Sequence, residues 1–254
     1  MQEAEQALFA VTRLEAYSKT SRLARGTGFF YQSGEDKLFL ITNRHIVSDE
    51  KEHYFPDKLR LYGHSDKRHF SKTKAIDLKL WDSTDKRLWK HSNRYPVADV
   101  VALEIPIETM AGCFFSKFSR KDILDAPGSI PGRDISLGLQ ALVLGYPLDF
   151  YDRMNHFPMT YMSSVATWPW FNFDRKPCFL IDARLHSGMS GSPVISSPGA
   201  IHKKSDPLDT SFSKVDRATY LLGIFSAEWT SHGEPLGLNI VWHSNVIANI
   251  VGDE

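Results

Sequence analysis

Cysteine is scarce: Cys113 and Cys178 are the only two in 254 residues. Secreted proteins of this size commonly rely on several disulfides, so the pair reads as reduced, buried thiols of a cytoplasmic protein, with a single bond between them left open. Their separation does not suit a metal site, and no zinc is expected. An excess of either charge is missing too, because 30 Lys and Arg balance 30 Asp and Glu. No overall field therefore draws the chain onto nucleic acid or an anionic membrane. No apolar run approaches the roughly 18 residues that span a bilayer. Met1–Gln6 holds two glutamates and no basic residue, and no secretory leader is visible. Long stretches with apolar residues every three or four positions are also scarce, which argues against a helical bundle.

What is present is ordinary globular composition, 42% hydrophobic and 24% charged, enough to bury a sizeable core. Short hydrophobic segments alternate with Gly, Pro, Asn and Asp, the pattern of an all-β fold. Strands are expected at 8–17, 28–32, 38–42, 59–61, 74–81, 100–105, 140–144, 159–166, 178–182, 193–195, 220–226 and 238–242. The first of these has an alternative as an amphipathic helix, since Ala4, Leu8, Val11 and Leu14 recur at helical spacing. Val246, Ile247 and Ile250 share one possible face of a short closing helix over 244–251. Three segments read as surface insertions: the charged 50–68, the Pro- and Gly-bearing 116–136, and the Ser-, Lys- and Asp-rich 196–218.

Three segments carry chemistry. In His186-Ser187-Gly188-Met189-Ser190-Gly191-Ser192-Pro193 a tight turn lies between apolar runs. Acyl transfer from a serine needs an exposed hydroxyl beside backbone N–H groups aimed at the developing oxyanion, and glycines on both sides of Ser190 permit that approach. In Leu38-Phe39-Leu40-Ile41-Thr42-Asn43-Arg44-His45 a buried strand delivers a histidine at its end. In Ala98-Asp99-Val100-Val101-Ala102-Leu103 an aspartate precedes another apolar strand, from which it can accept the Nδ1–H of His45. Ser187 and Ser192 are competing hydroxyls. Of the ten histidines only His45 has this frame; His186 reads as a rim residue, and Asp77 and Asp182 as structural. The aromatic run Trp168-Pro169-Trp170-Phe171-Asn172-Phe173 suits either an exposed recognition surface or core packing.

Together these segments resemble the trypsin-like peptidases, particularly the bacterial high-temperature-requirement (Deg) branch and its cytosolic relatives. In that family the histidine lies in Thr-Asn-x-His, the aspartate in Asp-hydrophobic-Ala-hydrophobic, and the serine in Gly-x-Ser-Gly-small-Pro, in that order along the chain. Gly26-Thr27-Gly28-Phe29 and Gly145-Tyr146-Pro147 extend the likeness.

The resemblance implies an all-β chymotrypsin-like fold of two six-stranded Greek-key barrels with a short C-terminal helix. The chain would be a single peptidase domain over 1–254, with barrels at about 8–110 and 135–245. It implies a serine endopeptidase working through an acyl-enzyme, with His45, Asp99 and Ser190 as the triad and the N–H groups of Gly188 and Ser190 as the oxyanion hole. Arg184, Ser226, Ala227 and Glu228 become candidates for the substrate pocket. Protein or peptide is the expected substrate, and no cofactor is implied. Met189 stands where the digestive enzymes have an aspartate that pairs with a new N-terminus, so that activation device is missing. Arg184 stands at the base of their specificity pocket, where a guanidinium would favour an acidic side chain; the Deg branch builds this pocket differently, and there the arginine can point away. Rival readings are a pseudoprotease that binds an extended peptide by strand addition, a latent enzyme whose loop at Gly188-Met189 is ordered by an activating partner or substrate, and an adaptor module.

Overall fold

Short runs of alternating or wholly apolar residues become strands throughout the computed structural model, which describes residues 3–123, 133–134, 137–198, 201–203, 214–216 and 219–253. The first half forms one curled sheet. Its strands are β1 (Val11–Ser18), β2 (Ser21–Ser33), β3 (Lys37–Thr42), β4 (Lys58–His64), β5 (Thr73–Lys79), β6 (Trp89–His91) and β7 (Val101–Ile105), in the order β5-β4-β1-β2-β3-β7-β6. A short β8 (Phe118–Ser119) runs parallel to β2. Leu14, Phe30, Leu40, Leu59, Leu61 and Leu103 line the inside of the curl.

This sheet differs from the closed six-stranded barrel expected. Among the described residues its two edge strands are not paired with each other and are joined by the turn between them, where Leu88 N–H bonds the Leu80 carbonyl at 2.9 Å and Trp81 bridges Arg87. The Asp82 carboxylate accepts the N–H groups of Thr84 and Lys86, turning the chain sharply there.

After β9 (Arg133–Asp134), the second half closes as expected. β10 (Gln140–Gly145), β11 (Met159–Val165), β12 (Cys178–Asp182), β13 (Pro193–Ser196), β16 (Leu221–Ser231) and β17 (Glu234–His243) form a six-stranded barrel in the order β10-β11-β12-β17-β16-β13. The intervening β14 (Ile201–Lys203) and β15 (Lys214–Asp216) pair with each other, and β14 also pairs with β9, as a small separate sheet. Val143, Phe179, Ile181, Val194 and Val241 fill the barrel interior.

A third apolar cluster welds the two halves. Phe29, Tyr31, Phe39 and Ile41 meet Leu144, Ile195, Ile224 and Trp242, and α3 (Ser244–Val251) lays Val246, Ile247 and Ile250 across the seam. Each such side chain contributes roughly 1.5–3 kcal/mol by burial. The chain end is pinned to β2, since Tyr31 Oη donates to Asp253 at 3.0 Å and Ser33 Oγ donates to the same carboxylate.

The opening segment divides between its two readings: α1 (Glu3–Ala7) and a 3-10 turn over Leu8–Ala10 lead into β1. The charged insertion 50–68 contains β4, whose Leu59 and Leu61 are fully buried. About half of 116–136 and most of 196–218 lie outside the described residues. No helix among the described residues is long and apolar enough to cross a membrane.

Candidate active site

His45 sits in α2 (Arg44–Val47), a single helical turn, and not at the end of β3 itself. The strand ends at Thr42, and Asn43, itself still extended, is the residue from which the helical turn begins. A helix start leaves N–H groups without an internal partner; that of His45 goes to Asp99 Oδ1 at 3.0 Å. The other carboxylate oxygen lies 2.6 Å from His45 Nδ1. Asp99 is anchored by its own backbone, whose carbonyl accepts Asn43 Nδ2 at 2.7 Å, and by the fully buried Val100 and Val101 that follow.

These contacts tune both groups. Burial works against a charged His45, but the Asp99 hydrogen bond and charge, with help from Asp49, outweigh it and raise its pKa above the usual value. Burial likewise works against the Asp99 carboxylate, yet hydrogen bonds from His45 and Ser226 and the His45 charge hold its pKa below the usual range.

Ser226 joins the two halves of the site. Its Oγ donates to Asp99 Oδ2 at 2.7 Å, and its carbonyl accepts Ser190 Oγ at 3.0 Å. The motif residues His45, Asp99 and Ser190, one pair from the first sheet and one from the second barrel, are thus linked through a single buried serine. Among the described residues the Ser190 hydroxyl rests on this carbonyl and not on the His45 ring.

The loop around Ser190 depends on two glycines. Gly188 has φ 93°, and a Cβ there would lie 2.6 Å from the Tyr146 carbonyl oxygen; Gly191 has φ 88°, and a Cβ would lie 2.0 Å from the Thr27 oxygen. Both are left-handed conformations in which any side chain is penalised. The N–H groups of Gly188 and Ser190 make no hydrogen bond among the described residues, whereas their neighbours Met189 and Gly191 donate to His186 and Phe225. Of the competing hydroxyls, Ser192 is fully buried, out of reach of a substrate, and Ser187 is exposed.

Thr27 is a residue whose part motif reading did not single out. Its N–H donates to the Ser190 carbonyl at 2.9 Å, its Oγ1 donates to the Gly188 carbonyl at 2.9 Å and accepts Tyr146 N–H at 3.1 Å, and its carbonyl accepts Thr42 Oγ1 at 2.8 Å. One first-sheet residue thereby holds both carbonyls flanking Met189. The signal was there as Gly26-Thr27-Gly28, but nothing in one sequence tells that this threonine faces the other barrel.

The pocket candidates separate. Ser226 is buried, while Ala227 and Glu228 are exposed along β16, with Glu228 Oε1 accepting Gly237 N–H at 3.2 Å. Arg184 is exposed. Behind it, the Ala183 carbonyl accepts Asn239 Nδ2 at 2.6 Å, fixing the strand wall. His186 is half-buried, with its ring 6.3 Å from that of Tyr161. A cleft of about 520 Å³ opens beside His45 and Asp99, with Arg44, Asp49, Arg87 and Trp89 on its walls. Of the aromatic run, Trp168 and Phe171 are exposed, whereas Trp170 and Phe173 pack on the core. Among the described residues no three His, Cys, Asp or Glu side chains cluster as metal ligands, and both cysteines are free.

Two β-barrel-like halves with a His–Asp pair from one facing a serine loop from the other define the chymotrypsin-like class of fold. The family model of the trypsin-like peptidase domain matches residues 26–201, well over half of the chain, and the protein belongs to that family. No curated protein matches it in sequence. Solved structures share the fold at low identity. The serine endoprotease from Yersinia pestis is 12% identical with a TM-score of 0.57, over 99% of this chain and 65% of that one. The HtrA-type protease AlgW, solved with a tripeptide, is 14% identical with a TM-score of 0.56, over 99% and 62%. The Rv3671c protease of M. tuberculosis in its inactive form is 16% identical with a TM-score of 0.53, over 98% and 90%. The chain thus spans slightly less than two thirds of the length of the first two.

Proposed function

We propose that this protein is a serine endopeptidase in which Ser190 attacks the scissile carbonyl, His45 acts as general base and then as general acid, and Asp99 orients and stabilises the imidazolium. The observation that carries the reading is the continuous hydrogen-bond path His45–Asp99–Ser226–Ser190 beside two backbone N–H groups without partners among the described residues. Those N–H groups, of Gly188 and Ser190, would receive the oxyanion. Attack requires Ser190 Oγ to leave the Ser226 carbonyl for His45 Nε2, a rearrangement common between resting and substrate-bound sites. Water then attacks the acyl-enzyme with His45 again as base.

The substrate class, protein or peptide, follows from the family. The exposed part of β16 at Ala227 and Glu228 supports docking of an extended chain as an added strand. The free thiols of Cys113 and Cys178 support a reducing, cytoplasmic setting. A latent form is the second reading, favoured by one observation: the Ser190 hydroxyl rests on Ser226, as in an enzyme waiting for its substrate or partner.

The test is digestion of a mixed peptide library, with products sequenced by mass spectrometry. Wild-type protein should generate internal cleavages, and Ser190→Ala and His45→Ala should each lower turnover by about 10⁶-fold, as for known triad deletions. A folded Ser190→Ala variant that still cleaves at the wild-type sites would refute the assignment.

A further inference from the structure

The oxyanion peptide is held from outside the motif residues. Ser187 C=O and Gly188 N–H belong to one planar peptide unit, so fixing the direction of the carbonyl fixes that of the N–H. The Ser187 carbonyl accepts Leu148 N–H at 2.7 Å. Leu148 and Asp149, neither of them glycine, both stand in the left-handed region, with φ 49° and 63°. A turn bent in this way persists only when its surroundings over-determine it.

The surroundings are three arginines from the first sheet. Asp149 is met by Arg13 Nη1 at 3.1 Å, Arg22 Nη1 at 3.3 Å and Arg25 Nη1 at 3.6 Å, and Arg25 also donates to the Leu148 carbonyl at 3.4 Å. Buried Glu15 aligns the arginines: it pairs with Arg22 at 3.0 Å and Arg13 at 3.4 Å, and is itself fixed by the hydroxyls of Tyr17 and Tyr62, each at 2.8 Å. The guanidinium of Arg13 lies between the rings of Tyr62 and Tyr151, 4.2 and 4.7 Å from their centroids.

Resting on the proposed peptidase reading, we infer that Asp149 is a positioning residue, and that its clamp by Arg13, Arg22 and Arg25 keeps the Ser187–Gly188 peptide turned so that Gly188 N–H faces the oxyanion. Arg22 and Arg25 have side chains 40% and 43% exposed, so the clamp is open to screening by salt and to competition by an anionic partner.

The experiment uses the full chain and peptides cleaved by the wild type. Asp149→Asn keeps size and tolerance of the left-handed region while removing the charge. Its kcat and its rate of labelling by a fluorophosphonate should both fall about 10- to 100-fold, a part of the loss seen when an oxyanion donor is deleted outright. KM should stay within about twofold, the signature of an interaction made in the transition state. Arg25→Gln, at an exposed side chain, should move kcat the same way and serves if Asp149→Asn does not fold by circular dichroism. Asp77→Asn, which breaks a comparable pair with Arg60 and Lys58 on β4, should change neither rate. Folded Asp149→Asn or Arg25→Gln protein that labels at the wild-type rate overturns the clamp while leaving the peptidase reading intact, and so does a rise in KM at unchanged kcat. Wild-type protein that never labels overturns the peptidase reading, and this inference with it.

Discussion

Two opposing forces decide whether His45 can accept a proton. Burial favours the neutral ring and the Asp99 carboxylate favours the charged one; the carboxylate wins, and the pKa is raised. Peptide hydrolysis should therefore rise with pH to a plateau, with its acid limb centred above the ordinary histidine value of about 6.5. Asp99→Asn should move that limb downward and lower kcat by about 10⁴-fold, as tautomer and orientation are lost. A kcat/KM profile beside an NMR titration of the ring checks both, and an unmoved limb would argue that the pair is not coupled. The linkage to stability has the matching sign. The raised His45 adds stability below its unfolded pKa that disappears as pH climbs through the folded one. The lowered Asp99 adds stability above its unfolded pKa that disappears as pH falls through the folded one. His45, Asp99 and Ser190 were readable as residues because each lies in a short motif beside a strand. Ser226 was readable only as a pocket wall, since its bonds to Asp99 and Ser190 come from chain distant in sequence.

Elements differ in how plainly they announce themselves. The apolar run Leu38–Thr42 and the closing helix at 244–251 were legible from pattern alone, and both are where expected. β6 was not, because Trp89-Lys90-His91 is short and polar, and only its pairing with β7 makes it a strand. The helical turn that carries His45 was read as the end of β3 for the same reason: four residues hold no period, and what stabilises the turn is a carboxylate far along the chain. β2 shows the consequence of such contacts. Thr27 ties this strand to the serine loop, so Thr27→Val, similar in volume but without the hydroxyl, leaves the buried Gly188 carbonyl and Tyr146 N–H without that partner. Denaturant unfolding should show a loss of about 1–3 kcal/mol. A variant as stable as the wild type would mean that these groups find other partners and that the strand does not brace the loop.

Across the whole molecule, the two halves contribute unequal things to one hydrogen-bonded site. The first supplies the His–Asp pair, Thr27 and the arginines around Asp149, and the second supplies the serine loop and the exposed part of β16. The apolar seam and α3 hold them in register. The double-barrel plan was legible only through the resemblance of the three motifs to the trypsin-like peptidases, whereas the open first sheet was not, since it rests on pairings between strands distant in sequence. The reading of function rests on those halves assembling a nucleophile at Ser190. Its most direct test is labelling of the purified wild-type protein with a fluorophosphonate and location of the modified residue by mass spectrometry, beside Ser190→Ala and His45→Ala. The account predicts modification at Ser190 that is lost in both variants; modification at another residue, or none on the folded wild-type protein, would contradict it.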